Sequence, residues 1–137
     1  MLPLEKNQII EQELARVQVE MPCLESAPLD VQRVLCCLRE HLFEETCNVN
    51  AIVESCGVST SDIHARFKYH TGMTIRRYLE KWRMEAARRL IQHDALEVGL
   101  VAFSVGYASH RTFNRAFLRC AGCTPTAYRE KMSKQNV

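Results

Sequence analysis

The spacing of apolar residues along the chain predicts helices and no strands. Apolar positions three and four residues apart recur from Val31 to Leu42, and no segment alternates apolar and polar residues with a period of two. The same spacing, bounded by capping residues and glycines, predicts further helices over about 49–56, 59–72, 74–92, 96–105, 109–121 and from 124 onward. Residues 4–20 predict one more short helix, which we expect to lie outside the main domain. The fold class is therefore all-α.

One phrase occurs twice in this helical pattern. GVSTSDIHARF begins at Gly57 and GYASHRTFNRAF begins at Gly106, and each copy continues into Gly-x-Thr and then Tyr. In each copy a glycine, which tolerates the left-handed conformation of a helix end, precedes a Ser or Thr that can cap the next helix. The repeat predicts two helix-turn-helix units, over about 48–71 and 95–121, joined by an unbroken helix over about 74–92.

The joining helix has the length of a spacer between two DNA-reading units. About 18 residues at about 1.5 Å per residue give a rod of about 27 Å. The second helix of a helix-turn-helix enters the major groove, and major-groove faces on one side of duplex DNA recur about every 34 Å. One chain could therefore present two recognition helices to successive groove segments.

Helical spacing also selects the outward face of each recognition helix. Ile63 and Phe67 must face the core in the first helix, and Phe113 and Phe117 in the second. The residues left outside are Thr60, Ser61, His64 and Ala65 in the first helix, and His110, Arg111, Thr112, Asn114 and Arg115 in the second. The second set is the richer one, because Arg can bond bidentately to guanine and Asn to adenine. The first set is expected to depend more on His64 and on phosphate contacts from Arg66 and Lys68.

The distribution of charge along the chain supports binding to a polyanionic partner. The net charge of +2 hides an asymmetry, because residues 1–27 hold two basic and five acidic side chains. The basic residues cluster over 66–89 and 111–134, which overlap the two copies of the phrase. Such clusters are the electrostatic footprint of a nucleic-acid binder, although a solvated basic helix face is the alternative interpretation.

Residues 30 to 131 resemble the DNA-binding domain of the AraC/XylS family of bacterial transcription regulators. The resemblance is carried by CGVSTSDIHARFKYHTGMTIRRYLEKWRMEAARRLI and by VGYASHRTFNRAFLRCAGCTPTAYR. It implies seven helices in two subdomains, double-stranded DNA and RNA polymerase subunits as partners, and a role as an activator. The base-reading residues that it implies are Ser61, His64, Ala65, His110, Arg111, Thr112 and Arg115. The residues expected to contact phosphates are Thr60, Arg66, Lys68, Asn114 and Arg119.

The chain departs from the family pattern at three points. Gly99 lies inside a predicted helix, where glycine costs about 1 kcal/mol relative to Ala, and Leu118 replaces the family's frequent Lys. Family members usually carry a separate regulatory domain, and nothing in these 137 residues is long enough to be one. We therefore expect either a free-standing DNA-binding regulator or the C-terminal piece of a longer protein. Residues 28–137 therefore form the expected DNA-binding domain, and residues 1–27 an N-terminal extension or interdomain linker helix that could hold a regulatory domain or mediate self-association.

The remaining chemistry argues against other classes of function. The seven cysteines are expected to be reduced core thiols, and Trp82 a core residue of the joining helix. Cys120 and Cys123 leave a thiol- or metal-responsive regulator as an alternative, but no second ligand pair has a recognisable spacing, so neither metal nor cofactor is expected. A helical module that binds a protein partner is the other alternative. No catalytic motif, membrane span or secretory segment is present, so we expect a cytoplasmic protein that is not an enzyme.

Overall fold

A computed structural model describes residues 2–58 and 60–135, and in these residues it contains helices and no strand. The helices are α1 (Pro3–Glu20), α2 (Leu29–His41), α3 (Val49–Ser55), α4 (Thr60–Thr71), α5 (Ile75–Ile91), α6 (Val98–Ser104), α7 (His110–Ala121) and α8 (Pro125–Gln135). The predicted all-α class is confirmed. The predicted helix positions agree with the observed ones to within a few residues.

The first helix packs on the rest of the protein, which corrects the expectation that it lies outside. Val17 is fully buried and Ile10 nearly so, in the same core as the residues of α5. The Gln18 amide donates to the Arg39 carbonyl at 2.8 Å, and the Glu20 carboxylate pairs with Arg89 of α5. The apolar stripe on α1 lowers the free energy by packing, because it removes apolar area from water. The division of the chain at residue 27 stays a prediction.

The two repeats build two similar layers that share α5. In the first, α3 and α4 pack on α2, and α4 packs on α5; in the second, α6, α7 and α8 all pack on α5, and α7 also contacts α6 and α8. The Phe67 and Tyr78 rings meet edge to face at 5.4 Å, and the corresponding Phe117 and Tyr128 rings do so at 5.5 Å. The repeated sequence therefore produces a repeated aromatic contact in one continuous core.

The helix ends confirm the predicted hydroxyl caps and turn glycines. The Thr74 hydroxyl accepts a hydrogen bond from the Arg77 backbone N–H at 3.2 Å, and the Ser109 hydroxyl accepts one from Thr112 at 3.4 Å. Gly57 and Gly106 have φ of 61° and 102°, so each turn depends on a conformation that favours glycine. Ser59, one of the two predicted caps of α4, lies outside the described residues.

The joining helix α5 contains 17 residues and is buried along one side. Tyr78 and Leu79 lie in the core, but Trp82, which was predicted to be a core residue, is only half-buried, with the Lys81 ammonium 5.3 Å from its ring centre. The neighbouring Arg83 occupies the buried position instead. Within the part of the chain that the structure describes, no helix is long and apolar enough to cross a membrane.

Candidate nucleic-acid interface

The two predicted helix-turn-helix units are present and have matching bounds. The first consists of α3 and α4, and the second of α6 and α7. From Val49 to Val98 the first helices are offset by 49 residues, and from Thr60 to His110 the second helices are offset by 50. Both second helices contain 12 residues. The extra residue of the second unit therefore lies in its turn.

The second recognition helix, α7, divides sharply into a buried and an exposed face. Its buried residues are Phe113, Ala116 and Phe117. Its exposed residues near the N-terminal end include every predicted one: His110, Arg111, Thr112, Asn114 and Arg115. Among the described residues, no carboxylate forms an ion pair with Arg111 or Arg115. Both guanidinium groups are therefore free to donate to a ligand.

The first recognition helix, α4, exposes a poorer set of groups. Ile63 and Phe67 are fully buried as predicted, and His64, Ala65 and Lys68 are exposed. The side chains of Thr60 and Ser61, two other predicted contacts, lie outside the described residues. Asp62 is exposed on the same helix and adds a negative charge near its N-terminus. Near its N-terminal end, the described part of the outward face of α4 thus presents the His64 imidazole, the Ala65 methyl group and charges of both signs.

Arg66, a predicted phosphate contact, is held by a carboxylate of α2. Its Nε donates to Asp30 Oδ2 at 2.8 Å, and a second guanidinium nitrogen donates to the same oxygen. This hydrogen bonding holds the pKa of the Asp30 carboxyl below its usual range and raises the pKa of Arg66. A phosphate would have to compete with Asp30 for this guanidinium, and the ion pair itself ties α4 to α2.

Arg119, another predicted phosphate contact, has the same kind of partner at the other recognition helix. Its guanidinium donates to both carboxylate oxygens of Glu80 on α5, at 3.1 and 2.8 Å. Burial acts to raise the pKa of Glu80, but hydrogen bonds from Arg119 and Cys120 outweigh it and the pKa is lowered. Each recognition helix is therefore fixed to a neighbouring helix by an arginine–carboxylate pair.

Arg83 belongs to one of the basic clusters in sequence, yet it is buried with 7% of its surface exposed. Its guanidinium donates to the carbonyls of Leu42, Glu44 and Cys47 at 2.7, 2.8 and 3.1 Å. Burial lowers the pKa of Arg83. The side chain satisfies the backbone where α2 ends and the chain turns toward α3, and it is not available to a ligand.

Arg129 of α8 does the same for the second layer. It donates to the carbonyls of Ile91 and His93 at 2.7 and 3.2 Å, and to that of Leu96. These carbonyls lie where α5 ends and the chain turns toward α6. The charge count therefore overstated the basic surface by two residues. For Arg83, helical spacing could have indicated burial, because it lies four residues from Leu79 and from Ala87 on the buried stripe of α5.

A cleft of about 830 Å³ lies between the two units and brings several predicted residues together. His64 of α4 and Thr112 of α7 both line it, together with the first turn of α5, including Thr74 and Arg76. Arg76 is exposed and in no described ion pair. It was part of the basic cluster in sequence but not among the predicted contacts, and only the tertiary structure brings it beside both recognition helices.

The cysteines differ from the expectation of core thiols. Cys47 is buried, Cys37, Cys56 and Cys123 are half-buried, and the others are exposed at positions 23, 36 and 120. Although the Cys120 residue is exposed, partial desolvation of its sulfur raises the pKa of the thiol, and so does the hydrogen bond that it donates to Glu80 Oε1 at 3.2 Å. Among the described residues, no group of three or more His, Cys, Asp or Glu side chains could hold a metal ion.

Comparison with known proteins gives the same architecture. A family model described as "Helix-turn-helix domain" matches residues 52–131. The HTH-type transcriptional activator RhaS of Escherichia fergusonii is 32% identical over 106 residues, which are 77% of this chain and 38% of that protein. The RhaS protein of Salmonella schwarzengrund is 31% identical over 100 residues, which are 73% of this chain and 36% of that protein. The chain therefore spans less than two fifths of the length of these relatives.

Two solved structures have the same fold. The C-terminal domain of the two-component response regulator yesN from Fusobacterium nucleatum aligns with a TM-score of 0.66 and 24% identity, over 70% of this chain and 93% of that one. A DNA-binding transcriptional dual regulator from Escherichia coli K-12 aligns with a TM-score of 0.64 and 24% identity, over 78% of this chain and 95% of that one. At this identity the likeness concerns the fold alone.

Proposed function

Because the chain belongs to the AraC/XylS family of helix-turn-helix transcription regulators, we propose that it binds promoter DNA sequence-specifically through two successive major-groove segments. The observation that carries this proposal is the pair of helix-turn-helix units with matching bounds, fixed to one shared helix. In the proposal, α7 supplies most of the base discrimination through His110, Arg111, Thr112 and Arg115. The first recognition helix, α4, contributes Ser61, His64 and Ala65.

The basic residues differ in whether their side chains already form ion pairs within the fold. Lys68 and Arg76 are exposed and without a described ion pair, so they are the preferred phosphate contacts of the first unit. Thr60 and Asn114 keep the same proposed role. Arg66 and Arg119 would contribute only by giving up part of their hydrogen bonding to Asp30 and Glu80.

The test begins with a selection of bound sites from random duplexes, followed by fluorescence anisotropy on a selected site and on random DNA. Arg111→Ala is expected to lose about 1–3 kcal/mol on the selected site and to relax preference at one base pair. Arg16→Ala is the matched control, because Arg16 is an exposed arginine of α1 and lies on neither recognition helix. Equal losses on selected and random DNA for Arg111→Ala would contradict base reading by Arg111.

A second candidate function, a helical module that binds a protein partner, is favoured by two exposed apolar side chains of α6. Phe103 is 66% exposed and Leu100 is 36% exposed, one helical turn apart. Salt dependence separates the two functions. DNA binding through about six phosphate contacts should weaken by about a thousandfold between 50 and 200 mM salt, whereas an apolar contact should change little.

Further steps of the proposal concern the activity of the whole protein. The relatives named as activators suggest that this chain also activates transcription, which would need a contact with RNA polymerase subunits. A reporter gene downstream of the selected site tests this step, since an activator raises expression and a simple repressor lowers it. A cytoplasmic location, the absence of catalysis and a regulatory or self-associating role for residues 1–27 stay predictions.

A further inference from the structure

Two cysteines of the first layer lie in direct contact. The Sγ atom of Cys37 on α2 is 2.7 Å from that of Cys56, which follows the last residue of α3. A disulfide bond is about 2.05 Å long, so less than about 1 Å separates this contact from a covalent bond. Both side chains are half-buried, so small oxidants can reach the pair while large proteins cannot enter between the helices.

The surroundings of the pair assign a role to each sulfur. Burial and hydrogen bonding with Cys37 raise the pKa of Cys56 to about 12, so this thiol keeps its proton at neutral pH. The Cys56 thiol can donate to the Cys37 sulfur at 2.7 Å or to the Arg33 carbonyl oxygen at 3.5 Å. Cys37 is therefore the sulfur that attacks an oxidant, and Cys56 is the sulfur that resolves the product.

We propose that Cys37 and Cys56 form a reversible intramolecular disulfide when the protein meets a peroxide. The Cys37 thiol gives up its proton and the thiolate attacks one peroxide oxygen. The O–O bond breaks, and the departing hydroxide takes up that proton, so a sulfenic acid and water result. The Cys56 sulfur then attacks the sulfenic sulfur. The S–S bond forms, the S–O bond breaks, and the departing hydroxide takes the Cys56 proton to give a second water. Two thiols lose two electrons, which the peroxide gains, and a dithiol restores the pair by exchange.

The disulfide would act on the first helix-turn-helix. It closes a loop of 20 residues, from Cys37 to Cys56, that contains the end of α2 and the whole of α3. Gly57, which makes the turn into α4 with φ of 61°, follows Cys56 directly. The cross-link therefore ties the start of this turn to α2, and closing a loop of this size should raise the melting temperature by roughly 5 °C or more.

The experiment treats the whole chain with hydrogen peroxide, blocks remaining thiols with iodoacetamide, and maps the peptides by tandem mass spectrometry. The expected product joins Cys37 to Cys56 with the loss of two hydrogens, disappears with dithiothreitol, and melts at a higher temperature than the reduced protein. Fragmentation must resolve the sites, because Cys36 is adjacent to Cys37. The exposed Cys36 provides the matched variant: Cys36→Ser should keep the cross-link and Cys37→Ser should lose it.

The peptide map of the wild-type protein tests the Cys37–Cys56 cross-link even if Cys37→Ser fails to fold. A cross-link through Cys36, sulfinic acid on Cys37 without a cross-link, or an oxidised protein that melts at the temperature of the reduced one would each overturn the proposal. These readouts involve no DNA, so their failure would leave the proposed DNA binding untouched.

Discussion

Replacing the buried Arg83 with Met should destabilise the fold without altering DNA sequence preference. The guanidinium of Arg83 donates to three backbone carbonyls at the end of α2 and in the following turn. Met retains most of the apolar stem but donates no hydrogen bond. The substitution therefore removes the backbone interaction and leaves the shape of the core largely intact.

The magnitude follows from the burial of the carbonyl groups. Leu42 and Cys47 are buried, whereas Glu44 is exposed and its carbonyl can turn to water. Two buried acceptors left without donors cost about 1–3 kcal/mol each. Avoiding the burial of a charged guanidinium offsets part of this cost. We expect a net loss of about 3 kcal/mol, or roughly 10 °C in melting temperature for a chain of this length.

Circular dichroism melting measures the stability, and anisotropy at a temperature where both proteins are folded measures DNA affinity. The exposed Arg76 of the same helix supplies the control, because Arg76→Met should change the melting temperature little but weaken binding to all DNA. A variant at Arg83 that melts like the wild type and loses affinity on all sequences would show that Arg83 is a phosphate contact. That result would refute its assignment as a buried cap.

Three further predictions concern the packing of α1, the second turn and the ion pair of the first recognition helix. Val17→Asp should lower the free energy of unfolding in urea by several kcal/mol, because it buries a carboxylate. Val19 is 84% exposed, so Val19→Asp should change this free energy by no more than about 0.5 kcal/mol. Equal effects of the two substitutions would argue against docking of α1. Gly106→Ala should lower the melting temperature because its φ is 102° and an added Cβ would lie 2.9 Å from a buried guanidinium. Gly99→Ala, in open space within α6, should raise stability by up to about 1 kcal/mol. The lowered pKa of Asp30 contributes stability that is present above its unfolded pKa and is lost as the pH falls through its folded pKa. Asp30→Asn should therefore flatten the loss of melting temperature on acidification below about pH 4, and an unchanged slope would contradict the ion pair.

The repeated phrase predicted the architecture because its information is local. Turn glycines, hydroxyl caps and apolar spacing act over a few residues, and Gly106, Ser109 and Phe113 have the conformations and burial expected of them. The exposed face of α7 follows from the same spacing, because burying Phe113 and Phe117 turns Arg111 and Arg115 outward.

The expected roles of the cysteines and of Trp82 were less accurate. Both rested on apolar positions in the helical pattern and on the general tendency of these residues to be buried. Only Cys47 of the seven cysteines is buried, and Trp82 is half-buried. The burial of an individual side chain depends on which helix packs against its face. A residue-type tendency averages over such packing and does not resolve one position from the next.

The sequence by itself determined the helices, the two helix-turn-helix units and the outward faces of the recognition helices, because each depends on contacts within a few residues. Only the tertiary structure decided which positive charges remain available. Arg83 and Arg66 meet partners 36 to 41 residues away in sequence, and Arg119 meets Glu80 across 39 residues. A guanidinium is free or occupied according to what the folded chain brings within 3 Å of it, and no local pattern carries that information.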